Sequence, residues 1–399
     1  MAKSKKILML GAGVLASAFL ACSAFATEAP EPTKENGILT DADWESVYPN
    51  EVASYRANEE NTYRVDYLEE DPYLVTIYEG YGFAKDYTSA IGHSYCLEDV
   101  ANTERPHALA NCLTCKTADF TKLVNDLGVE AYSMEFAEVF DDMSENVGCY
   151  SCHANETDGT LVVTHDYINE KMADSKGDIA AQVLACGQCH IEYYFEPDTK
   201  ATTIPYTDVA SMDPEAMLAY YDSIGFSDWT QESTGTGLLK AQHPEMETYL
   251  GEGSIHVKMG LTCASCHMEK ATAEDGTEFT SHKLVSPLES EALLETCAAC
   301  HKDVDMAEKV HTLQAEITAR ETELGERLAA LKTSLADAVA SGEYTDEQLD
   351  EIRGLYRSAQ WFFDFDYVEN AEGAHNSTLA KKCLDKAESL MEEAEKLFA

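Results

Sequence analysis

Cys112-Leu113-Thr114-Cys115-Lys116 is a CxxC pair followed by lysine. Four more pairs follow it, each ending in histidine: Cys149 and Cys152 with His153, Cys186 and Cys189 with His190, Cys263 and Cys266 with His267, Cys297 and Cys300 with His301. CxxCH is the attachment signature of a c-type haem. Two thioether bonds hold the porphyrin edge, and the adjacent imidazole ligates the iron from one face. Thirteen cysteines placed at random over 399 positions would give about 0.4 CxxC pairs, so five is a signal. Zinc knuckles also use CxxC pairs, but they leave the repeated histidine unexplained, and five pairs do not divide into four-cysteine sites. Five adjacent disulfides would be unusual in a chain this long.

The first motif is the odd one. A protonated ammonium has no lone pair, so Lys116 can ligate iron only as the neutral amine. A pure electron wire has no need of that. An amine on one face with an open position opposite leaves room for a substrate, so chemistry is expected at this site. The other haems need a second axial ligand to stay closed. Twelve histidines less the four in motifs leave His93, His107, His165, His243, His256, His282, His311 and His375. That supply is sufficient, and composition does not choose among them.

Residues 1–26 read as a secretory signal: Lys3, Lys5 and Lys6, an apolar run from Ile7 to Ala21, then Ala24-Phe25-Ala26. Cys22 leaves a lipidated N-terminus as an alternative. The protein is therefore expected in the periplasm or on the outer face of the cytoplasmic membrane. Removing the signal takes the formal charge from −45 to −48. So acidic a chain excludes charge-driven binding to nucleic acid or to an anionic membrane surface. A small anionic substrate would need a local focus of Arg, Lys or metal charge.

Residues 27–36 (TEAPEPTKEN) read as a disordered leader. Residues 37–304 hold all the motifs and show little strand alternation. Short helices are expected over Thr117–Gly128, Val129–Asp142 and Asp213–Asp222. Residues 305–399 change texture. Val310, Leu313, Ile317, Leu324, Leu328, Leu331, Leu335 and Val339 mark one face of a long helix. A second opens at Thr345-Asp346-Glu347 and runs to about Phe362, and a third runs from Ser377 to Phe398. The expected fold is a mainly α multihaem cytochrome with little sheet: a haem-packed core and long C-terminal helices in one domain. The longest helix is also expected to form a homodimer seam.

Two stretches carry further donors. His190-Ile191-Glu192-Tyr193-Tyr194 and Lys240-Ala241-Gln242-His243-Pro244-Glu245 hold oxygen donors suited to calcium, in Glu192 and the Gln242 amide. They also hold proton donors, in Tyr193 and His243. Arg105 precedes Cys112 by seven positions.

The order CxxCK then four CxxCH, with CGQCHIEYYF (Cys186–Phe195), KAQHPE (Lys240–Glu245) and CASCHM (Cys263–Met268), resembles pentahaem cytochrome c nitrite reductase, the ammonia-forming family. The resemblance runs from about Ile91 past Gly373-Ala374-His375-Asn376. It implies five covalent haem c groups and calcium, with Lys116 on the catalytic haem. It implies catalytic roles for Arg105, Tyr193 and His243, and calcium ligation by Glu192, the Tyr193 and Lys240 carbonyls, and Gln242. It pairs His153 with His282, His190 with His93, His267 with His375, and His301 with His256. His107, His165 and His311 get no role, and neither do Cys96 and Cys383. The segment from Arg105 to Cys112 is shorter than in many members. The implied reaction is reduction of nitrite to ammonium with six electrons and eight protons, fed by a membrane-bound quinol-oxidising multihaem cytochrome. Two alternatives stay open: an electron-transfer cytochrome without substrate, and a related multihaem enzyme acting on hydroxylamine or sulfur oxyanions.

The motif reading predicts five haems per chain in a pyridine haemochrome assay of the purified protein. Four or fewer would overturn it.

Overall fold

The computed structural model describes residues 28–106 and 108–398. The signal-peptide reading, Cys22 and His107 lie outside them. Short helices carry or flank the motifs: α1 (Ala118–Leu127), α2 (Cys149–Cys152), α3 (Ala181–Gly187), α4 (Cys263–His267) and α5 (Glu291–Ala298). Three long helices follow: α6 (Met306–Ser341), α7 (Asp346–Tyr367) and α8 (Ser377–Lys396). Strand is confined to three antiparallel pairs of two or three residues: β1 (Tyr194–Phe195) with β2 (Thr202–Thr203), β3 (Trp229–Gln231) with β4 (Thr236–Leu238), and β5 (Lys270–Thr272) with β6 (Glu278–Thr280).

The long helices begin and end where their sequence says. Asp305 caps α6 by accepting from Glu308 N, and Gly342 at φ +67° closes it. Thr345 and Gln348 form a reciprocal capping box on α7. Leu324, Leu328, Leu331 and Leu335 of α6, Ile352, Tyr356 and Phe363 of α7, and Leu384, Ala387 and Met391 of α8 are all buried in one core. Each such leucine contributes about 1.5–3 kcal/mol. The same cluster includes Leu74, Ile191 and Met246, so the long helices share their core with the motif-bearing part. The α6 stripe is thus covered within the chain, and a second copy would have to meet the outer face of α6.

Three local expectations change. Residues 129–142 do not form one helix. The backbone is extended at Met134 and Glu135, where Ala110 N bonds Met134 O and Phe136 N bonds Ala108 O at 2.9 Å. Pairing with the first motif's own approach overrides helix propensity there. Helix α7 runs five residues beyond Phe362, because Phe363 and Phe365 are buried and Asp364 finds buried partners. The segment expected as a leader is tied down at its end. Lys34 Nζ reaches Asp119 at 2.6 Å and Ser144 Oγ at 2.7 Å, and Asn36 Nδ2 donates to Asp119 at 2.7 Å. Asp119 also accepts from the Ser144 and Glu145 amides.

Asp119→Asn removes the charge that gathers these donors. Faster tryptic cleavage after Lys34 is the expected result, read by mass spectrometry of timed digests. An unchanged rate would show that the anchor lies elsewhere.

Candidate functional site

The four motif histidines each face a second imidazole. Ring centres lie 6.2 Å apart for His93 and His190, 6.1 Å for His153 and His282, 6.2 Å for His256 and His301, and 6.0 Å for His267 and His375. Two metal–nitrogen bonds of about 2 Å on opposite sides of one atom, plus about 1 Å from each nitrogen to its ring centre, add to roughly 6 Å. The spacing therefore fits one iron between each pair. Apolar surface flanks these pairs: Ile255, Met259, Leu284 and Val304 are exposed large hydrophobics beside His256, His282 and His301. None of the twelve described cysteines forms a disulfide. The donor set and the apolar walls fit haem c.

Ring orientation is set by each imidazole's other nitrogen. His267 Nδ1 lies 3.0 Å from Val285 O, His282 Nδ1 3.0 Å from Thr280 O, and His153 Nδ1 3.2 Å from Gly159 O. His375 Nδ1 instead meets the buried carboxylate of Glu369 at 2.5 Å. His93 is presented by Gly92, whose φ of +144° suits glycine.

The motifs are neighbours in space in an order the chain does not suggest. Cys115 and Cys189 have their sulfurs within 4.8 Å of each other, with His165 beside both. Cys186 is in hydrogen-bond contact with Cys263. Burial, and then nearby Cys297, push the Cys266 thiol up. Cys152 Sγ approaches Ala185 O in α3 at 3.9 Å. The third motif is therefore the junction: it touches the first, second and fourth, and the fifth lies beyond the fourth. His165, given no role in the sequence, holds the junction together. Its Nδ1 lies 3.0 Å from Gln188 Oε1 and its Nε2 3.0 Å from Thr114 O.

Around Lys116 the candidate catalytic side chains converge. Arg105 and Lys116 both stand beside the Cys112 thiol, which burial raises and the Arg105 guanidinium lowers. Lys116 is likewise within electrostatic range of His243. Arg105 stacks over Phe83 at 4.4 Å, and its Nε donates to Thr103 at 3.1 Å. Burial, then the Cys115 and Cys112 sulfurs, push the Tyr193 phenol up, so it stays a proton donor at neutral pH. In a chain of −45 formal charge, the Arg105 guanidinium is the local positive charge that an anion needs.

His243 stands beside the third motif, its ring centre 6.5 Å from that of His190. Gly187 makes this approach possible: a Cβ there would come within 2.2 Å of Met246 Sδ. Met246 N then bonds His190 O at 3.2 Å. Glu245, quoted within KAQHPE but given no task, lies between the two rings, 3.7 Å from His190 Nδ1 and 3.9 Å from His243 Nδ1.

The oxygen donors also assemble. Glu192, 1% exposed, accepts from Tyr221 Oη at 2.8 Å and from Gln242 N at 2.7 Å. Gln242 Nε2 donates to Lys240 O at 2.9 Å. Half a turn of that amide brings its oxygen to the carbonyl instead. Burial raises the Glu192 carboxyl well above the usual range, and a divalent cation would counter that. A buried carboxylate, a carbonyl and an amide oxygen at one place fit calcium.

Residues 41–399 match the family model for cytochrome c552. The fold is similar to cytochrome c nitrite reductase from Desulfovibrio desulfuricans ATCC 27774, whose catalytic subunit has two calcium sites. The TM-score is 0.81 at 24% identity, covering 92% of this chain and 87% of that one. Two other solved structures match less fully. The outer cell wall cytochrome OcwA has a TM-score of 0.42 at 20% identity, covering 75% of this chain and 48% of its own. The undecahaem cytochrome from the S-layer of Carboxydothermus ferrireducens has 0.40 at 16%, covering 77% and 41%.

His282→Ala should convert one low-spin centre of the holoprotein to high spin and leave the others unchanged in electron paramagnetic resonance. An unaltered spectrum would show that His282 closes no iron.

Proposed function

The chain belongs to the cytochrome c552 family, and we propose from that membership that it is an ammonia-forming nitrite reductase acting at Lys116. The observation that carries the reading is the contrast between the motifs. Four attachment histidines each face a second imidazole at 6.0–6.2 Å, while the remaining motif ends in an amine amid Arg105, Tyr193 and His243.

When bound at Cys112 and Cys115, the haem supplies the iron that takes nitrite and passes it electrons. The side chains of this chain do the rest. Lys116 would hold that iron as the neutral amine. Arg105 holds the anion by charge and hydrogen bonds, and offsets the repulsion of the acidic surface. Tyr193 keeps its proton until one is needed, and His243 is placed to deliver protons as N–O bonds break. Glu192, the Tyr193 and Lys240 carbonyls, and Gln242 would hold calcium, and the ion would keep the Tyr193 backbone beside the site. The four imidazole pairs hold the electron-carrying haems, making five in all. The third motif would hold the haem at the junction, next to those held by the first, second and fourth motifs. A chain of close centres matters because six electrons must arrive before an intermediate escapes.

The partners follow from the same reading. An exported chain takes electrons from a membrane-bound quinol-oxidising multihaem cytochrome. No described helix is long and apolar enough to cross a membrane. A homodimer would use the outer face of α6.

Tyr193→Phe should lower ammonium production from nitrite about a hundredfold or more and leave five haems in place, measured by a reduced-dye assay with ammonium quantified. Near-normal turnover would remove Tyr193 from the reaction. A wild-type holoprotein that consumes no nitrite would end the nitrite-reductase reading and leave an electron-transfer cytochrome or a multihaem enzyme acting on hydroxylamine or sulfur oxyanions.

A further inference from the structure

The stretch Lys240-Ala241-Gln242 is outside helix and strand, and it is gripped by its backbone. Lys240 N donates to Asp228 Oδ2 at 2.8 Å, Ala241 N to Asp364 Oδ2 at 2.8 Å, and Gln242 N to Glu192 Oε2 at 2.7 Å. Three consecutive amides thus meet three carboxylates from three parts of the chain: the residue before β3, the last turn of α7, and the stretch after the third motif. A neutral carbonyl or water satisfies a backbone amide. Bringing carboxylates into the interior to do so costs far more, unless the charge has another use.

The side chain of Lys240 shows how part of the charge is answered. Its Nζ lies 3.2 Å from both oxygens of Asp364 and 2.9 Å from Ala241 O. Tyr78 Oη donates to the same Asp364 carboxylate. Aromatic rings of Tyr78, Phe83 and Tyr87 surround the ammonium at 5.1–5.3 Å. With the side chain committed to Asp364, the Lys240 carbonyl lies against Gln242, where the proposed calcium ligands gather. One lysine balances one of the three carboxylates. A divalent cation at Glu192 balances the other two.

We propose that Asp228 and Asp364 are positioning residues for the calcium site: they hold the backbone whose Lys240 carbonyl and Gln242 side chain bind the ion. The inference rests on the calcium reading above. It extends that reading to two residues that would touch neither the ion nor nitrite. His243 follows Gln242 directly, so the same grip sets where its ring stands beside His190. The clamp joins α7 to the catalytic stretch, which explains why Asp364 sits in the middle of the buried run Trp361–Asp366.

A purely structural ion pair would stabilise the fold without altering metal affinity, and this separates the two cases. The holoprotein and its Asp228→Ala and Asp228→Asn variants are titrated with calcium against a chelator. Nitrite turnover is followed at low and excess calcium. Asp228→Ala should weaken calcium binding about tenfold or more, as the loss of an outer-shell partner does. It should lower turnover at limiting calcium, recover with excess ion, and keep five haems with unchanged low-spin signals. Asp228→Asn keeps an acceptor oxygen for Lys240 N and should stay close to wild type. Asp364→Ala, which removes the acceptor of the neighbouring amide, should also weaken binding. Calcium affinity unchanged in Asp228→Ala, or in a fully haem-loaded Asp364→Ala, overturns the clamp. A wild-type holoprotein that binds no calcium removes the site itself, and the clamp with it; that result appears without any substitution and is distinct from failure of the clamp alone.

Discussion

Facing imidazoles at a spacing of 6.0–6.2 Å are the constraint on which the rest of this molecule depends. Each pair joins a short motif to a residue far away in sequence. His190 meets His93 from upstream, while His153 and His267 meet His282 and His375 from downstream. A chain tied at four such points needs little regular sheet to define its path. Paired strands are accordingly two or three residues long, and the motif helices are barely a turn or two. The apolar cofactor takes the place that a layer of side chains has in other folds, and the long helices α6 to α8 close the remaining side.

Charge is arranged against the grain of the composition. The chain is strongly acidic, yet Arg105 brings a fixed positive charge to the one motif that ends in an amine. The buried carboxylates nearby are placed rather than scattered. Burial pushes Asp228 up to about 7, against the Lys240 amide and ammonium that lower it. Glu247 is pushed up to about 8 for the same reason, although Tyr206 and the Glu192 amide oppose it. Such groups are costly alone and economical around a cation. The same logic applies at Glu369, which supports His375 with a carboxylate where His153, His267 and His282 lean on neutral carbonyls.

How much of this was legible in the sequence differs by element. The helix stripe from Ile317 to Leu335 and the caps at Thr345 and Gly342 were readable, because helix periodicity and capping are local. The broken helix at 129–142 and the extension of α7 to Tyr367 were not. Both depend on partners elsewhere: the Ala108 and Ala110 backbone in one case, Tyr78 and the Lys240 stretch in the other. Glu245 stood in plain view within KAQHPE. Nothing in the linear order says that it lies between His190 and His243.

The attachment motifs and the exceptional Lys116 were determined by the sequence alone. Covalent haem chemistry requires two thiols and a ligand within five consecutive residues, and such proximity is written in the order itself. The second ligand of each iron was a different matter. Eight free histidines offered many pairings, and only a resemblance to a known family selected among them. The tertiary structure decides which rings actually face each other, that the third motif is the junction, and that three carboxylates grip the stretch before His243. The physical reason is range: a bond made through space between distant segments leaves no fixed spacing along the chain, so it exists only once the chain has folded.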